Sequence, residues 1–285
     1  MKTTLTLACV NVVLTCAEAI GADLHPIVEV QHGYLLGAIA DGKSIKPDDV
    51  AKSMSDETTY HVYGLTQSLG EAKGTKPNHE EVPCDATFSV PLSETPGKSV
   101  IAVAARWNAL PRKVQSLDTT QKVYVDAVRD LLKTKEIEQP QVKIDNIIRV
   151  DLDGDGEEEV LISATNYSNE DAIIPTNYWN KDEHVPIRSP AGGYSCVLLR
   201  RVVAGKVETQ LVEGEFYPKA YQRKNDDDAS FDAPNAYKVI AVLDLDGDGK
   251  MEIVVRSHYY EGEATMIYRC DAKKCEQLLS VGCGV

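Results

Sequence analysis

Two short acidic stretches carry the residues that could do chemistry. Residues 151–159 read Asp-Leu-Asp-Gly-Asp-Gly-Glu-Glu-Glu, and residues 244–252 read Asp-Leu-Asp-Gly-Asp-Gly-Lys-Met-Glu. Carboxylates at positions 1, 3 and 5 of a tight loop direct hard oxygen ligands toward one point, and the intervening glycines let the backbone curl around that point. The pattern therefore predicts two calcium sites, which we call loop one and loop two.

The position at which each loop closes argues against an EF-hand. An EF-hand ends on a bidentate Glu at position 12, but that position holds Ile162 in loop one and Val255 in loop two. An acid stands at position 9 instead, as Glu159 and Glu252. Short β-branched or aliphatic runs follow both acids, so each loop is predicted to join two strands and not two helices.

At these residues the chain resembles the calcium loops of FG-GAP and VCBS-type repeats, in which Asp-x-Asp/Asn-x-Asp-Gly-x-x-Asp/Glu precedes an apolar strand. The resemblance covers two repeats. It implies two Ca²⁺ ions, each held by the acids at positions 1, 3, 5 and 9 and by the backbone carbonyl at position 7. The implied ligands are Asp151, Asp153, Asp155, Glu159 and the carbonyl of Glu157 in loop one, and Asp244, Asp246, Asp248, Glu252 and the carbonyl of Lys250 in loop two. We expect loop two to be the cleaner site, because Glu157 and Glu158 add charge to loop one.

The elements around the loops repeat as well. A constant offset of 93 residues relates the two loops, and after each one the order is strand, connection, strand, turn, strand. This predicts two four-stranded antiparallel, blade-like repeats at about residues 141–214 and 235–285. Tyr124, Val128 and Leu131 recur at helical spacing and predict one amphipathic helix, capped by Ser116 or Asp118.

The predicted fold is therefore mainly β (α+β), in three parts. A signal peptide occupies residues 1–22, a small N-terminal β subdomain residues 23–115, and the helix with the two calcium-loop repeats residues 116–285. Residues 70–83 read as a surface loop. Two blades do not close a propeller, so we favour sheets packed face to face, with a small β-propeller as the alternative.

Charge and the first residues bear on localisation and partners. The net charge of −14 argues against nucleic acid and anionic membranes. Lys2, the apolar run of residues 5–14 and a small-residue cleavage site after Ala19 or Ala22 predict export, to the outside of the cell or to the periplasm. No later stretch is apolar enough to span a membrane. Lipid attachment at Cys16 is the alternative to free release.

Five cysteines follow the predicted signal peptide. Cys270 and Cys275 flank a short turn and are predicted to form a disulfide across a hairpin. The partner of Cys283 stays open between Cys84 and Cys196.

No catalytic motif stands out in the sequence, so whether the protein is an enzyme stays open, with a non-enzymatic role favoured. The nearest candidate, His258, reads as part of a half-buried strand. Tyr outnumbers Phe by 13 to 3, which suits wet recognition surfaces, and the tyrosine-tryptophan pair at 178–179 and the segment 107–112 are the predicted exposed patches. We predict a secreted calcium-binding module for an extracellular protein or glycan, with residues 168–193 as its recognition segment. The alternative is an extracellular hydrolase or lyase that acts on polymers such as polysaccharide.

Overall fold

The computed structural model describes residues 24–167, 188–189, 191–222, 234–259 and 262–284. The strands of the first part are β1 Ile27–Glu29, β2 Leu35–Ala40, β3 Lys43–Ile45, β4 Thr58–Tyr63, β5 Ser68–Gly74, β6 Asn78–His79, β7 Phe88–Ser89, β8 Ile101–Val103 and β9 Gln115–Ser116. Those of the second part are β10 Ile144–Val150, β11 Glu159–Thr165, β12 Arg188–Ser189, β13 Gly193–Val203, β14 Lys206–Tyr217, β15 Tyr221–Gln222, β16 Ala236–Leu243, β17 Glu252–Tyr259, β18 Gly262–Cys270 and β19 Cys275–Gly284. The helices are α1 Pro47–Ser53 and α2 Lys122–Thr134. The predicted signal peptide and nearly all of residues 168–193 lie outside the described residues.

Three larger antiparallel sheets are present among the described residues. The N-terminal sheet has the order β3-β2-β1-β8-β4-β5, the loop-one sheet β14-β13-β11-β10-β9, and the loop-two sheet β16-β17-β18-β19. Two short pairs, β6–β7 and β12–β15, accompany them. The prediction of a mainly β protein is confirmed.

The loop-two sheet lies between the other two sheets. Along β17, Val254 packs in one apolar cluster with side chains of the N-terminal sheet, whereas Ile253 and Val255 pack in another with side chains of the loop-one sheet. Successive side chains of a strand point to opposite faces, so this alternation buries both faces of the sheet. Each fully buried aliphatic side chain contributes about 1.5 to 3 kcal/mol. The C-terminal repeat is thus the centre of the packing.

Helices cover the outer faces of the stack. Val128 and Leu132 of α2 pack on the loop-one sheet, as the helical spacing predicts, and Val50 and Ala51 of α1 pack on the N-terminal sheet. The expectation of a single helix was wrong, because the seven residues of α1 are too few to show a period. The predicted caps were also wrong. The helix α2 starts at Lys122, while the Asp118 carboxylate accepts the Thr120 N–H at 2.9 Å in the preceding turn.

The strand order corrects one further expectation and bears on the choice between packed sheets and a propeller. The predicted loop at 70–83 is in part strand, since β5 runs through residues 68–74 and pairs with β4. The described residues form stacked sheets, with no closed propeller among them. In the same part of the chain, neither helix is long and apolar enough to cross a bilayer.

Four of the five cysteines after the predicted signal peptide form two pairs. Cys270 and Cys275 lie at disulfide distance across the β18–β19 turn, with Cα atoms 4.0 Å apart, which confirms the prediction. Of the two possible partners of Cys283, the structure pairs it with Cys84, at a Cα separation of 5.5 Å. Cys196 is free and buried. The second pair fastens the N-terminal region to the last strand of the loop-two sheet.

Candidate metal-binding loops

Each acidic loop connects two neighbouring antiparallel strands. Loop one joins β10 to β11 and loop two joins β16 to β17. The strand register places Val150 opposite Glu159 and Leu243 opposite Glu252, so the acid at position 9 faces the residue just before position 1. This pairing explains why each loop closes at position 9, three residues earlier than an EF-hand.

The same five hydrogen bonds shape both loops, and each runs from a backbone N–H to the side-chain carboxylate of an acidic loop residue. The carboxylate at position 1 accepts the N–H groups of positions 4 and 6. The carboxylate at position 3 accepts the N–H of position 5, and the carboxylate at position 5 accepts the N–H of position 7. The carboxylate at position 9 accepts the N–H of position 2. In loop one the bonds run from Gly154 and Gly156 to Asp151 (2.7 and 3.2 Å), from Asp155 to Asp153 (3.3 Å), from Glu157 to Asp155 (2.8 Å) and from Leu152 to Glu159 (2.8 Å). In loop two they run from Gly247 and Gly249 to Asp244 (2.7 and 3.1 Å), from Asp248 to Asp246 (3.2 Å), from Lys250 to Asp248 (2.7 Å) and from Leu245 to Glu252 (2.8 Å). The carboxylates are therefore oriented by the backbone itself.

Glycine is required at positions 4 and 6 by the backbone conformation. Gly154 and Gly156 have φ of 81° and 91°, and Gly247 and Gly249 have φ of 78° and 85°. Residues with a Cβ rarely adopt this left-handed region. The two glycines of each motif thus permit the turns that point the carboxylates inward.

The two loops bring different subsets of the predicted ligands together. In loop one, single oxygens of Asp151, Asp153 and Glu159 lie within 4.8 Å of one another. In loop two, the corresponding group is Asp244, Asp246 and Asp248. Asp155 and Glu252 lie outside these groups. Glu157 and Lys250 are at the exposed tips, where position 5 holds their backbone N–H groups.

Burial and acidic crowding raise the pKa of several of these carboxyls. Burial is the largest cause of the raised pKa of Glu159, and Asp153 and Asp155 add to it while Arg201 opposes it. Burial also raises the pKa of Asp244. The effect is greatest at Glu252, where burial raises the pKa to about 7 against the opposing charge of Arg269. A divalent cation would offset the like charges that crowd both loops.

Arg269 supplies positive charge to loop two. Its Nη2 lies 2.8 Å from Asp246 Oδ2, and its Nε donates to Glu252 Oε1 at 2.9 Å. The backbone N–H of Gly42, in the turn between β2 and β3, also donates to Asp246 Oδ2 at 3.2 Å. Arg201 lies near Glu159 in loop one, but within the described chain no hydrogen bond joins it to a loop carboxylate.

The segment 107–112 ties the two loops together. Arg112 donates from Nε to Asp151 O at 2.5 Å, and from Nη2 to Leu152 O at 3.0 Å and Gly249 O at 2.6 Å. The loops also bond directly, from Met251 N to Leu152 O at 2.8 Å. One guanidinium therefore spans both loops through backbone carbonyls.

The expectation of an exposed patch at residues 107–112 was wrong for its tryptophan. Trp107 is half-buried, its Nε1 donates to Asp244 O at 2.8 Å, and its ring lies against Gly247. A Cβ at Gly247 would come within 3.0 Å of that ring. The second predicted patch, residues 178–179, lies outside the described residues.

Sequence reasoning missed both arginines at the loops. Arg269 could have been found by counting pairs outward along the β17–β18 hairpin, which pairs Ile253 with Tyr268 and so brings the next residue beside Glu252. No comparable local signal marks Arg112, because it is 137 residues from Gly249. His258, the weak catalytic candidate, is six residues along β17 from Glu252, roughly 20 Å away at strand rise.

Comparison with protein-family models, with curated proteins and with solved structures found no match for this chain. The resemblance to FG-GAP and VCBS-type calcium loops stays a prediction that rests on the residues of the two loops.

Proposed function

We propose that this protein is an extracellular calcium-binding module, built from two blade-like repeats of the FG-GAP or VCBS kind, whose ions fix the loops at the junction of its sheets. The observation that carries the proposal is the same five-bond backbone scaffold in loops 93 residues apart. A scaffold repeated around the same three aspartates and one glutamate serves a common purpose, and hard oxygen donors in a glycine-rich loop suit calcium.

The chemistry of the loops favours calcium over magnesium. Calcium takes six to eight oxygen ligands in a flexible arrangement, whereas magnesium requires a tight octahedron. Carboxylates at positions 1, 3, 5 and 9 and the carbonyl at position 7 offer oxygen alone. The tips of both loops are exposed, so water can complete the coordination. Asp155 and Glu252 would move toward the ion from their present places.

The cysteines support an extracellular location. Two pairs lie at disulfide distance, and such bonds persist mainly in oxidising compartments. The apolar leader at residues 1–22 is consistent with export.

The module's partner is an extracellular protein or glycan, recognised by the connection between β11 and β13. In loop two's sheet the matching connection between β17 and β18 is only two residues long, so the longer segment is an addition to the scaffold. It leaves β11 at the end of the strand opposite to loop one, roughly 20 Å from Glu159 at strand rise. Calcium is therefore expected to stabilise the scaffold and not to contact the ligand.

Thermal unfolding tests the calcium part of this proposal. Extracellular calcium modules bind at about 10⁻⁴ to 10⁻³ M, so millimolar calcium adds about 0.5 to 1.5 kcal/mol per site. We expect chelation to lower Tm by a few degrees and magnesium to restore little of it. An unchanged Tm in calcium and chelator would contradict the proposal.

A ligand screen with and without the connection tests the recognition part. Immobilised wild-type protein is screened against glycans and extracellular proteins, beside a variant in which residues 168–192 are replaced by Glu-Gly-Glu. We expect the variant to keep its calcium-dependent Tm and to lose the ligand. Equal binding by both proteins would place recognition elsewhere.

A further inference from the structure

A third group of ligating side chains lies where the N-terminal sheet meets the loop-two sheet. Glu29 ends β1, His32 follows in the turn to β2, and Glu263 lies at the start of β18. One ligand atom from each residue lies within 4.8 Å of the other two. His32 Nδ1 is 3.3 Å from Glu29 Oε2 and 3.0 Å from Glu263 Oε1. We call these three residues the Glu-His-Glu cluster.

Nδ1 of His32 lies close to both carboxylates, and Glu29 Oε2 also accepts the backbone N–H of His32 at 2.9 Å. An imidazole nitrogen carries at most one proton, so Nδ1 of His32 cannot donate fully to two carboxylate oxygens at once. Without that proton, one nitrogen lone pair and two oxygens face the same space. In a tetrahedral zinc site with bonds of about 2.0 Å, neighbouring ligand atoms are about 3.3 Å apart. The separations of 3.0 and 3.3 Å in the cluster are close to that value.

The carboxylate oxygens that face away from the cluster are held by other groups. Glu29 Oε1 accepts the Gln31 N–H at 2.7 Å and Arg256 Nη2 at 3.2 Å. Glu263 Oε2 lies 3.1 Å from His258 Nδ1. Partners of this kind orient ligands toward a metal and tune their charge. Arg256 also offsets part of the negative charge of Glu29.

Burial and stacking fix the ligands further. The Glu29 side chain is nearly buried, whereas the His32 side chain is 36% exposed. The His32 ring stacks on Tyr34 with centroids 5.2 Å apart. The imidazole is therefore held in place but remains accessible.

We propose that the Glu-His-Glu cluster binds a divalent transition metal of the zinc type. The ligands are His32 Nδ1, Glu29 Oε2 and Glu263 Oε1, and water completes the coordination. An imidazole nitrogen among the ligands favours zinc over calcium, which prefers oxygen alone. The metal joins a turn of the N-terminal sheet to the loop-two sheet, and it does so independently of the two acidic loops.

Zinc competition against a chromogenic chelator tests the site. The protein is first stripped of metal and then kept in millimolar calcium, and zinc chloride is added. We expect one zinc per chain. Loss of a residue that only orients a ligand lowers metal affinity roughly 10- to 100-fold, and the zinc affinity of His258→Gln should fall within this range. The zinc affinities of His32→Gln and Glu263→Gln should fall by more. The matched control is His61→Gln, since His61 faces a single carboxylate, Glu71, at 3.6 Å, and its affinity should not change.

Histidine ring NMR of the wild-type protein gives a readout that does not depend on the variants folding. Zinc should shift the ring resonances of His32 and leave those of His61 unchanged. Absence of zinc binding, equal zinc binding by wild type and His32→Gln, or shifts confined to other histidines would overturn the proposal. Loss of zinc binding in Asp153→Ala/Asp246→Ala would also overturn it, because the zinc would then lie in the acidic loops.

Discussion

Loop one and loop two have the same backbone scaffold but different surroundings. Loop two is more buried and has Arg269 bonded to Asp246 and Glu252. In loop one, Asp153 and Asp155 are exposed. The surplus Glu158 pairs with Arg149 at 3.0 Å, so its charge is largely balanced outside the site. Identical ligand sets therefore need not have equal affinities, because neighbouring cations compete with the metal.

This comparison reverses the expectation that loop two is the cleaner site. Calcium must draw Asp246 and Glu252 away from Arg269 or bind beside that positive charge, and either course costs free energy. Within the described chain no arginine is bonded to a predicted ligand carboxylate of loop one, since Arg149 pairs with Glu158, which is not a predicted ligand. We therefore expect loop one to bind calcium more tightly than loop two.

The largest effect is expected from Arg269→Met. Removing one partner of a largely buried ion pair costs about 3 to 5 kcal/mol, so the calcium-free variant should unfold at lower denaturant. Its loop two should bind calcium about tenfold more tightly, which corresponds to about 1.4 kcal/mol. Denaturant unfolding with chelator and calorimetry with calcium measure the two effects.

Arg201→Met is the matched variant in loop one. Arg201 acts on Glu159 through its charge alone, so its removal should change calcium affinity less than Arg269→Met does. If the two variants change their own loops equally, the bonded arginine is not the source of the difference between the loops.

Arg112→Ala should affect both loops together. Its three bonds to backbone carbonyls span the loops, and leaving such carbonyls without a charged donor costs about 2 to 4 kcal/mol in total. Both calcium affinities should fall by similar factors. Calorimetry of Arg112→Ala beside the exposed neighbour variant Lys113→Ala measures this. A change confined to one loop would mean that the guanidinium does not couple them.

The pH dependence separates the loops in the calcium-free protein. The pKa of Glu252 is raised from 4.5 to about 7, so the folded state binds the proton more strongly than the unfolded state. Its contribution to stability is full below pH 4.5 and is lost as pH rises through about 7. With chelator present, stability should decrease less between low and high pH in Glu252→Gln than in the wild type. The substitution Glu159→Gln should have a smaller effect on this decrease. Denaturant unfolding at pH 5 and pH 8 provides the measurement, and identical slopes in wild type and Glu252→Gln would contradict it.

The sequence predicted the local features of both loops. The ligands lie within nine residues, the hairpins continue from them, and Cys270 and Cys275 face each other across a short turn. Each of these depends on residues that are near one another in the chain, where spacing and turn chemistry determine the structure.

Long-range contacts were beyond the same reasoning. Cys84 pairs with Cys283 across 199 residues, and Trp107 reaches Asp244 across 137. Such contacts depend on how the three sheets stack, which a period of two along each strand does not specify. The Glu-His-Glu cluster was missed for the same reason, since it joins β1 to β18.

The smallest effect on stability is expected at the turns of the last hairpin of the loop-two sheet (β18–β19) and of the loop-one sheet (β13–β14). The β18–β19 turn is closed by the Cys270–Cys275 pair, whereas the β13–β14 turn relies on Ala204 and Gly205 with φ of 50° and 77°. A cross-link over so short a loop contributes about 1 to 3 kcal/mol. The variant Cys270→Ser/Cys275→Ser should lose that amount and keep its calcium binding, as measured by denaturant unfolding and calorimetry. Global unfolding of the variant would show a larger role.

Calorimetric titration of the chelated protein with calcium tests the central claim most directly. Wild type should show two sites, the tighter one in loop one. Asp153→Ala should remove the tighter site and Asp246→Ala the weaker one, because each substitution takes away a mid-loop carboxylate. Absence of calcium heat in the wild type, or two unchanged sites in both variants, would contradict the assignment of calcium to these loops.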